Sequence, residues 1–246
     1  KTFVVGGVTP KVALAGIDLI VPTRQFVTIV GSNGAGKSTL LNAIAGVFPV
    51  DRGCIRLDGE DITLLPEHKR STHIGRVFQN PLQGTSASMT VEENLAMACR
   101  RGKRRGLNRG VTREDRLRMR ESLRALGLGL EDQLCTAVGL LSGGQRQALT
   151  LLMATMARPK LLLLDEHTAA LDPKTAQQIV ELTHQIVRRE EGLTTLMVTH
   201  NLDLALRMGN RTLMMHGGEI VLDVHGPERQ AMTTRELLQE FSRRRG

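Results

Sequence analysis

The chain has 246 residues, 41% of them hydrophobic, enough for one large domain or a core domain carrying a subdomain. A formal net charge of +8 allows an anionic membrane surface or nucleic acid as neighbour, but with no Trp, no Tyr and 5 Phe the chain lacks stacking platforms for single-stranded nucleic acid. Its 3 cysteines, Cys54, Cys99 and Cys135, are odd in number and far apart, which argues against a disulfide framework or a zinc site, and no apolar run approaches the roughly 18 residues of a membrane-spanning helix.

Residues 1–25 read as strand and turn: Phe3-Val4-Val5, a Gly6-Gly7 break, then a strand-like stretch over 12–21 bounded by Pro10 and Pro22. Phe26-Val27-Thr28-Ile29-Val30 reads as a buried strand, and Leu40-Leu41-Asn42-Ala43-Ile44-Ala45 as a helix closed by Gly46. Between them lies Gly31-Ser32-Asn33-Gly34-Ala35-Gly36-Lys37-Ser38-Thr39, a G-x-x-x-x-G-K-[ST] match in the strand–loop–helix context of a P-loop. Glycines let backbone N–H groups wrap a phosphate chain, and the helix start adds its positive end. In that motif Lys37 reaches the β- and γ-phosphates and the Ser38 hydroxyl coordinates Mg²⁺, so ATP with Mg²⁺ is the expected ligand.

Beyond the loop, Asp51-Arg52-Gly53 is a turn, Cys54 to Leu57 a short strand and Asp58-Gly59 a hairpin turn. Residues 74–78 form another short strand ending at Gln79-Asn80-Pro81. From Val91 to about Leu130 the pattern turns helical and charged, opened by a capping box at Thr90-Val91-Glu92-Glu93. The basic residues of 100–120 read either as a solvated face or as a contact with lipid headgroups. Ser142 caps a helix over 143–157 whose later residues are apolar nearly all round, hence buried. Leu161-Leu162-Leu163-Leu164 is a continuous apolar strand of the kind found in parallel sheets, followed by Asp165-Glu166. A helix over 174–189, a strand over 194–199, a hairpin across Gly217-Gly218 and a last helix opened by Thr233-Thr234-Arg235-Glu236 complete the pattern.

A P-loop needs an acidic strand end to hold the metal and polarise water. Asp165 is the metal residue, and Glu166 the group that orients or deprotonates the attacking water. Leu141-Ser142-Gly143-Gly144-Gln145 then decides the family: the sequence resembles the nucleotide-binding subunit of an ATP-binding cassette (ABC) transporter, of bacterial importer type, over nearly its whole length. The resemblance implies an α/β fold, a P-loop NTPase core of mainly parallel sheet with an antiparallel β subdomain and an inserted α-helical subdomain. The whole chain is then one ABC ATPase domain, with a core of 1–80 and 158–246 and helices over about 81–157.

By the same resemblance Gly31, Ser32, Asn33, Gly34, Ala35, Gly36, Lys37, Ser38 and Thr39 are the Walker A loop, and 161–166 the Walker B strand. Gln79 is the Q-loop glutamine, near both nucleotide and metal; Ala170-Leu171-Asp172 is the D-loop, and His200 the switch histidine. Ser142, Gly143, Gly144 and Gln145 would face the γ-phosphate held by a second copy, in a head-to-tail dimer with two sandwiched ATP molecules. The expected partners are that second copy, a separate transmembrane permease and a substrate-binding protein, at the cytoplasmic face of the membrane. The permease would dock near Gln79, with Leu82 and Met89 either as contacts or as local core. The transported substrate would be of amino-acid type.

Three positions depart from the family pattern. His167 stands where Pro is usual and is assigned no chemistry; Ala170 replaces a commoner Ser; and no Tyr is present to stack on adenine, so Phe3 is the candidate, with Val8 the alternative. A second class, a soluble ABC ATPase acting on nucleic acid or ribosomes, has the basic charge in its favour. It lacks the long coiled coil or second cassette of those proteins, which disfavours nucleic acid as partner. A GTPase switch lacks its N-K-x-D motif and leaves the signature unexplained.

Overall fold

The chain begins with an antiparallel ribbon in which β1 (Thr2–Val5) pairs with β2 (Thr9–Val12) and Phe3 lies opposite Lys11. This computed structural model describes residues 1–5, 9–102 and 110–243. Val8, the Gly6-Gly7 break, most of the 100–109 basic segment and Arg244-Arg245 therefore lie outside the described residues. The strand expected over 12–21 is corrected: it ends at Val12, and Pro10 sits within β2, tolerated on a two-stranded ribbon. The reason lies in the backbone partners. Ala13 and Leu14 N–H donate to Lys1 O, and Ala15 N–H to Gly218 O, so the segment has no neighbouring strand to follow.

Two units organise the fold, Lys1–Arg70 with Thr194–Gly246, and Ser71–Leu193. In the first, β3 (Phe26–Gly31) is buried along five successive residues and leads through residues 32–36 into α1 (Lys37–Ala45). A small hairpin follows, β4 (Arg56–Leu57) with β5 (Glu60–Asp61), and a short helix α2 (Glu67–Arg70). Asp58 and Gly59 both have positive φ, 55° and 81°, as a two-residue hairpin turn requires.

In the second unit, β6 (Ile74–Val77) pairs in parallel with a later strand β7 (Leu161–Asp165), Val77 opposite Leu164. Between them run α3 (Val91–Cys99), α4 (Arg113–Arg124) and α5 (Gly143–Thr155). Each starts on a capping box: Thr90 with Glu93, Thr112 with Asp115, and Ser142 with Gln145. Their apolar faces form one core of Val91, Leu95, Met119, Leu123, Leu149 and Met153, joined by Val138 from the turn before α5. After β7, Asp172 caps the long α6 (Pro173–Arg189) with Pro173 in its first turn.

The chain then returns to the first unit with β8 (Thr194–Val198), α7 (Leu202–Met208), β9 (Arg211–His216), β10 (Glu219–His225), α8 (Gly226–Ala231) and α9 (Thr234–Arg243). There β3 is flanked by β8 and β9, both parallel to it, and β10 pairs antiparallel with β9. Val30, Ala205, Met214 and Leu237 seal one face of this sheet. Among the described residues no helix is long and apolar enough to cross a membrane.

Candidate functional site

The first unit builds the phosphate-type loop. Parallel strands release their loops at one edge, so Gly31 at the end of β3 and His200 just beyond β8 leave the sheet side by side in order, with Ile29 opposite Val198. Gly36 caps α1 at φ 99°, and a Cβ there would run into Ala13 O, so only glycine fits. No side chain at that cap competes for the N–H groups of the first turn. Lys37 is only 6% exposed, and its Nζ donates to Gly31 O at 2.9 Å and Ser32 O at 3.0 Å. The ammonium is thus folded back over the loop by the loop's own carbonyls. Lys11 Nζ lies 3.9 Å from where a Cβ on Gly34 would be, which places a second cation beside the loop.

The helix that carries this loop is anchored by a residue the sequence reading passed over. Arg70 is buried, and its guanidinium donates to Ala43 O (2.9 Å) and Ile44 O (2.8 Å) at the end of α1, and to Leu65 O and Thr63 O (2.7 Å each). Burial lowers its pKa, yet a guanidinium stays protonated in proteins.

Phe3 is half-buried, and its ring meets Phe48 edge-on, centroids 5.1 Å apart, with Lys1 Nζ 5.4 Å from the Phe3 centroid. His200 is exposed, between Thr199, whose N–H is held by Ile29 O, and Asn201, which caps α7.

The second unit brings Glu166 to Gln79. Because β6 and β7 run in parallel register, Gln79 and Glu166 both emerge at their carboxyl ends. Gln79 Nε2 donates to Glu166 Oε2 across a long 3.5 Å. Glu166 has φ 45°, a left-handed conformation unusual for a residue with a Cβ, and its carbonyl accepts the Ala169 N–H at 2.9 Å. His167, assigned no chemistry from the sequence, is 2% exposed with Nε2 3.1 Å from Thr183 Oγ1. Burial pushes its pKa down to about 4, so the ring is neutral at pH 7.

The signature segment sits at the start of α5. Ser142 Oγ accepts the Gln145 N–H (3.2 Å), Ser142 N–H donates to Gln145 Oε1 (3.1 Å), and Gln145 Nε2 donates to Leu128 O (3.1 Å). Both polar side chains are thereby engaged in the cap, and the backbone N–H groups of the first turn become the feature suited to an anion. A Cβ on Gly144 would collide with the Thr175 side chain, and one on Gly143 would touch Leu171, so the start of α5 packs against the start of α6. Asp172 keeps a lowered pKa there because Thr175 hydrogen-bonds its carboxylate.

The family model described as ABC transporter matches residues 14–169. The chain belongs to the ABC transporter family. It is 48% identical over 232 residues to the tyrosine transport ATP-binding protein of Clostridioides difficile (strain R20291), covering 94% of this chain and 92% of that one. It is 37% identical over 218 residues to a methionine import ATP-binding protein of Rhizobium etli, covering 87% of this chain but 57% of the relative. Among solved structures it is similar to the dimeric, post-hydrolysis ATP-binding cassette MJ0796 bound to ADP and Pi, with 29% identity, a TM-score of 0.78 and coverage of 92% and 95%. As an ABC ATPase it binds and hydrolyses ATP, and its mixed, mainly parallel sheet with a small antiparallel part is that of the ABC cassette.

Proposed function

We propose that the chain is the ATP-hydrolysing subunit of an importer for amino-acid-type substrates, acting on a separate permease from the cytoplasmic face, with a substrate-binding protein in the complete system. The relatives' names support the substrate class and the direction. Two copies would work head to tail, as the dimeric state of the similar cassette suggests. Lys37 binds the β- and γ-phosphates, with the loop residues Gly31 to Thr39 around them. The Ser142–Gln145 turn contacts the γ-phosphate held by the other copy, and His200 contacts it from the end of β8. Phe3 is the residue proposed to meet adenine.

Mg²⁺ fits the chemistry of the donors proposed for it, a hydroxyl, an amide oxygen and a carboxylate, all of them hard oxygen ligands. Ser38, Gln79 and Asp165 would hold it, and it would neutralise charge on the phosphates. The domain boundaries we propose keep 81–157 as the helical insert.

The observation that carries this reading is Glu166 at the carboxyl end of β7, held opposite Gln79. A carboxylate there can orient a water and take its proton. Glu166→Gln keeps the shape and loses the base, so ATP turnover should fall about a hundredfold. ATP should then persist unhydrolysed and hold two chains together. Size-exclusion chromatography with light scattering under Mg-ATP reads this; a Glu166→Gln protein that binds ATP and stays monomeric counts against the sandwich.

The permease surface is proposed to be the segment after Gln79. Asn80 Oδ1 accepts the Leu82 N–H and caps the turn Pro81–Gln83, which leaves Leu82 42% exposed. Leu82→Asp should abolish co-purification with the permease while the isolated subunit still binds ATP. Normal assembly and transport by that variant would move the docking surface elsewhere.

A further inference from the structure

We infer that His167 and Thr183 are positioning residues that hold the Glu166 carboxylate in place; the inference rests on the assignment of Glu166 as the water-orienting base. The geometry runs through three groups of the second unit. Thr183 is fully buried on α6, and its hydroxyl donates to Ile179 O at 2.7 Å. A hydroxyl has one hydrogen, so the 3.1 Å contact with His167 must be donated by the imidazole. The ring is therefore the Nε2–H tautomer, and an ordered chain runs from the His167 N–H through the Thr183 O–H to a helix carbonyl.

This chain secures the residue directly after Glu166. A side chain in left-handed conformation persists only where its surroundings over-determine it. Two contacts restrain the turn at Glu166 in this way. One is its own carbonyl, fixed by the Ala169 N–H. The other is its neighbour's imidazole, locked inside the protein onto α6. Releasing the second frees the turn to relax towards ordinary φ, which swings the carboxylate away from Gln79 while the P-loop groups proposed to grip the phosphates stay as they are.

Thr183→Val keeps the shape and removes the acceptor; Thr183→Ala does the same with less bulk, and each is read once circular dichroism shows it folded. The expected result is a kcat lowered about tenfold with KM and equilibrium ATP affinity within about twofold of the parent, because a displaced base misorients the attack and leaves binding alone. Thr183→Ser, which keeps the hydroxyl, should restore kcat. A purely structural role would lower thermal stability and leave kcat untouched, and that outcome overturns the inference, as does a rise in KM matching the loss. Glu166→Gln separates the two readings. If it is inactive while Thr183→Val turns over normally, only the His167–Thr183 role falls; if it turns over normally, the Glu166 assignment falls and this inference with it.

Discussion

Lys37→Ala should lower kcat/KM for ATP by about a thousandfold, equivalent to about 4 kcal/mol of transition-state stabilisation. The magnitude follows from where the ammonium sits. It is almost wholly buried and aimed by two carbonyls of its own loop, so its charge acts in a medium that screens it poorly. Phosphoryl transfer gives a protein little covalent chemistry to perform, and cations placed against the phosphates supply much of the rate. Removing Lys37 also leaves the Gly31 and Ser32 carbonyls turned inward without this donor, so ATP binding should weaken along with turnover. Lys37→Arg should not rescue, because a planar fork cannot take the path of a compact ammonium. Turnover within about tenfold of the parent, in protein free of contaminating ATPase, would refute the role.

The second large effect is on stability. Arg70→Met keeps the volume and removes a donor set that serves four carbonyls drawn from α1 and from the turn before α2. Stranding buried carbonyls costs about 1–3 kcal/mol each where nothing replaces the donor, so a loss of about 4 kcal/mol is expected. For a chain of this size that lowers Tm by about 10 °C. Arg70→Lys should recover only part, since one ammonium cannot reach carbonyls spread across a fork. Denaturant midpoints for the three proteins check the order; a midpoint for Arg70→Met equal to the parent's would remove Arg70 from the structural account.

These two residues mark what could and could not be read from the sequence. Lys37 announces itself because its motif is contiguous and its context, a buried strand before and a helix after, is local. The Leu161–Leu164 run, the capping boxes at Thr90 and Thr233 and the helix cap at Ser142 are legible for the same reason, and the structure places elements on each. The Thr112–Asp115 box carries the same signal and would have placed the start of α4. Arg70 has no such signal: its partners lie up to 27 residues away, and a guanidinium in a Glu-His-Lys-Arg run looks like any solvated helix end. His167 and Thr183 are 16 residues apart, and only the fold, which brings α6 against the turn after β7, makes an unremarkable threonine the imidazole's acceptor. The strand expected over 12–21 failed for a related reason. Its apolar residues are real, but the backbone found its partners at Lys1 and Gly218, which no periodicity encodes.

The space that Thr175 occupies where a side chain at Gly144 would stand has a mechanical consequence. The first turn of α5 and the first turn of α6 touch so closely that neither can tilt alone. In the proposed head-to-tail dimer, the Ser142–Gln145 turn and the aspartate-capped loop before α6 would then meet the second copy as one stiff face rather than two adjustable ones. Recognition between copies would become a matter of fitting a preformed shape, and a bulkier residue at 144 would act as a wedge that changes that shape along the face.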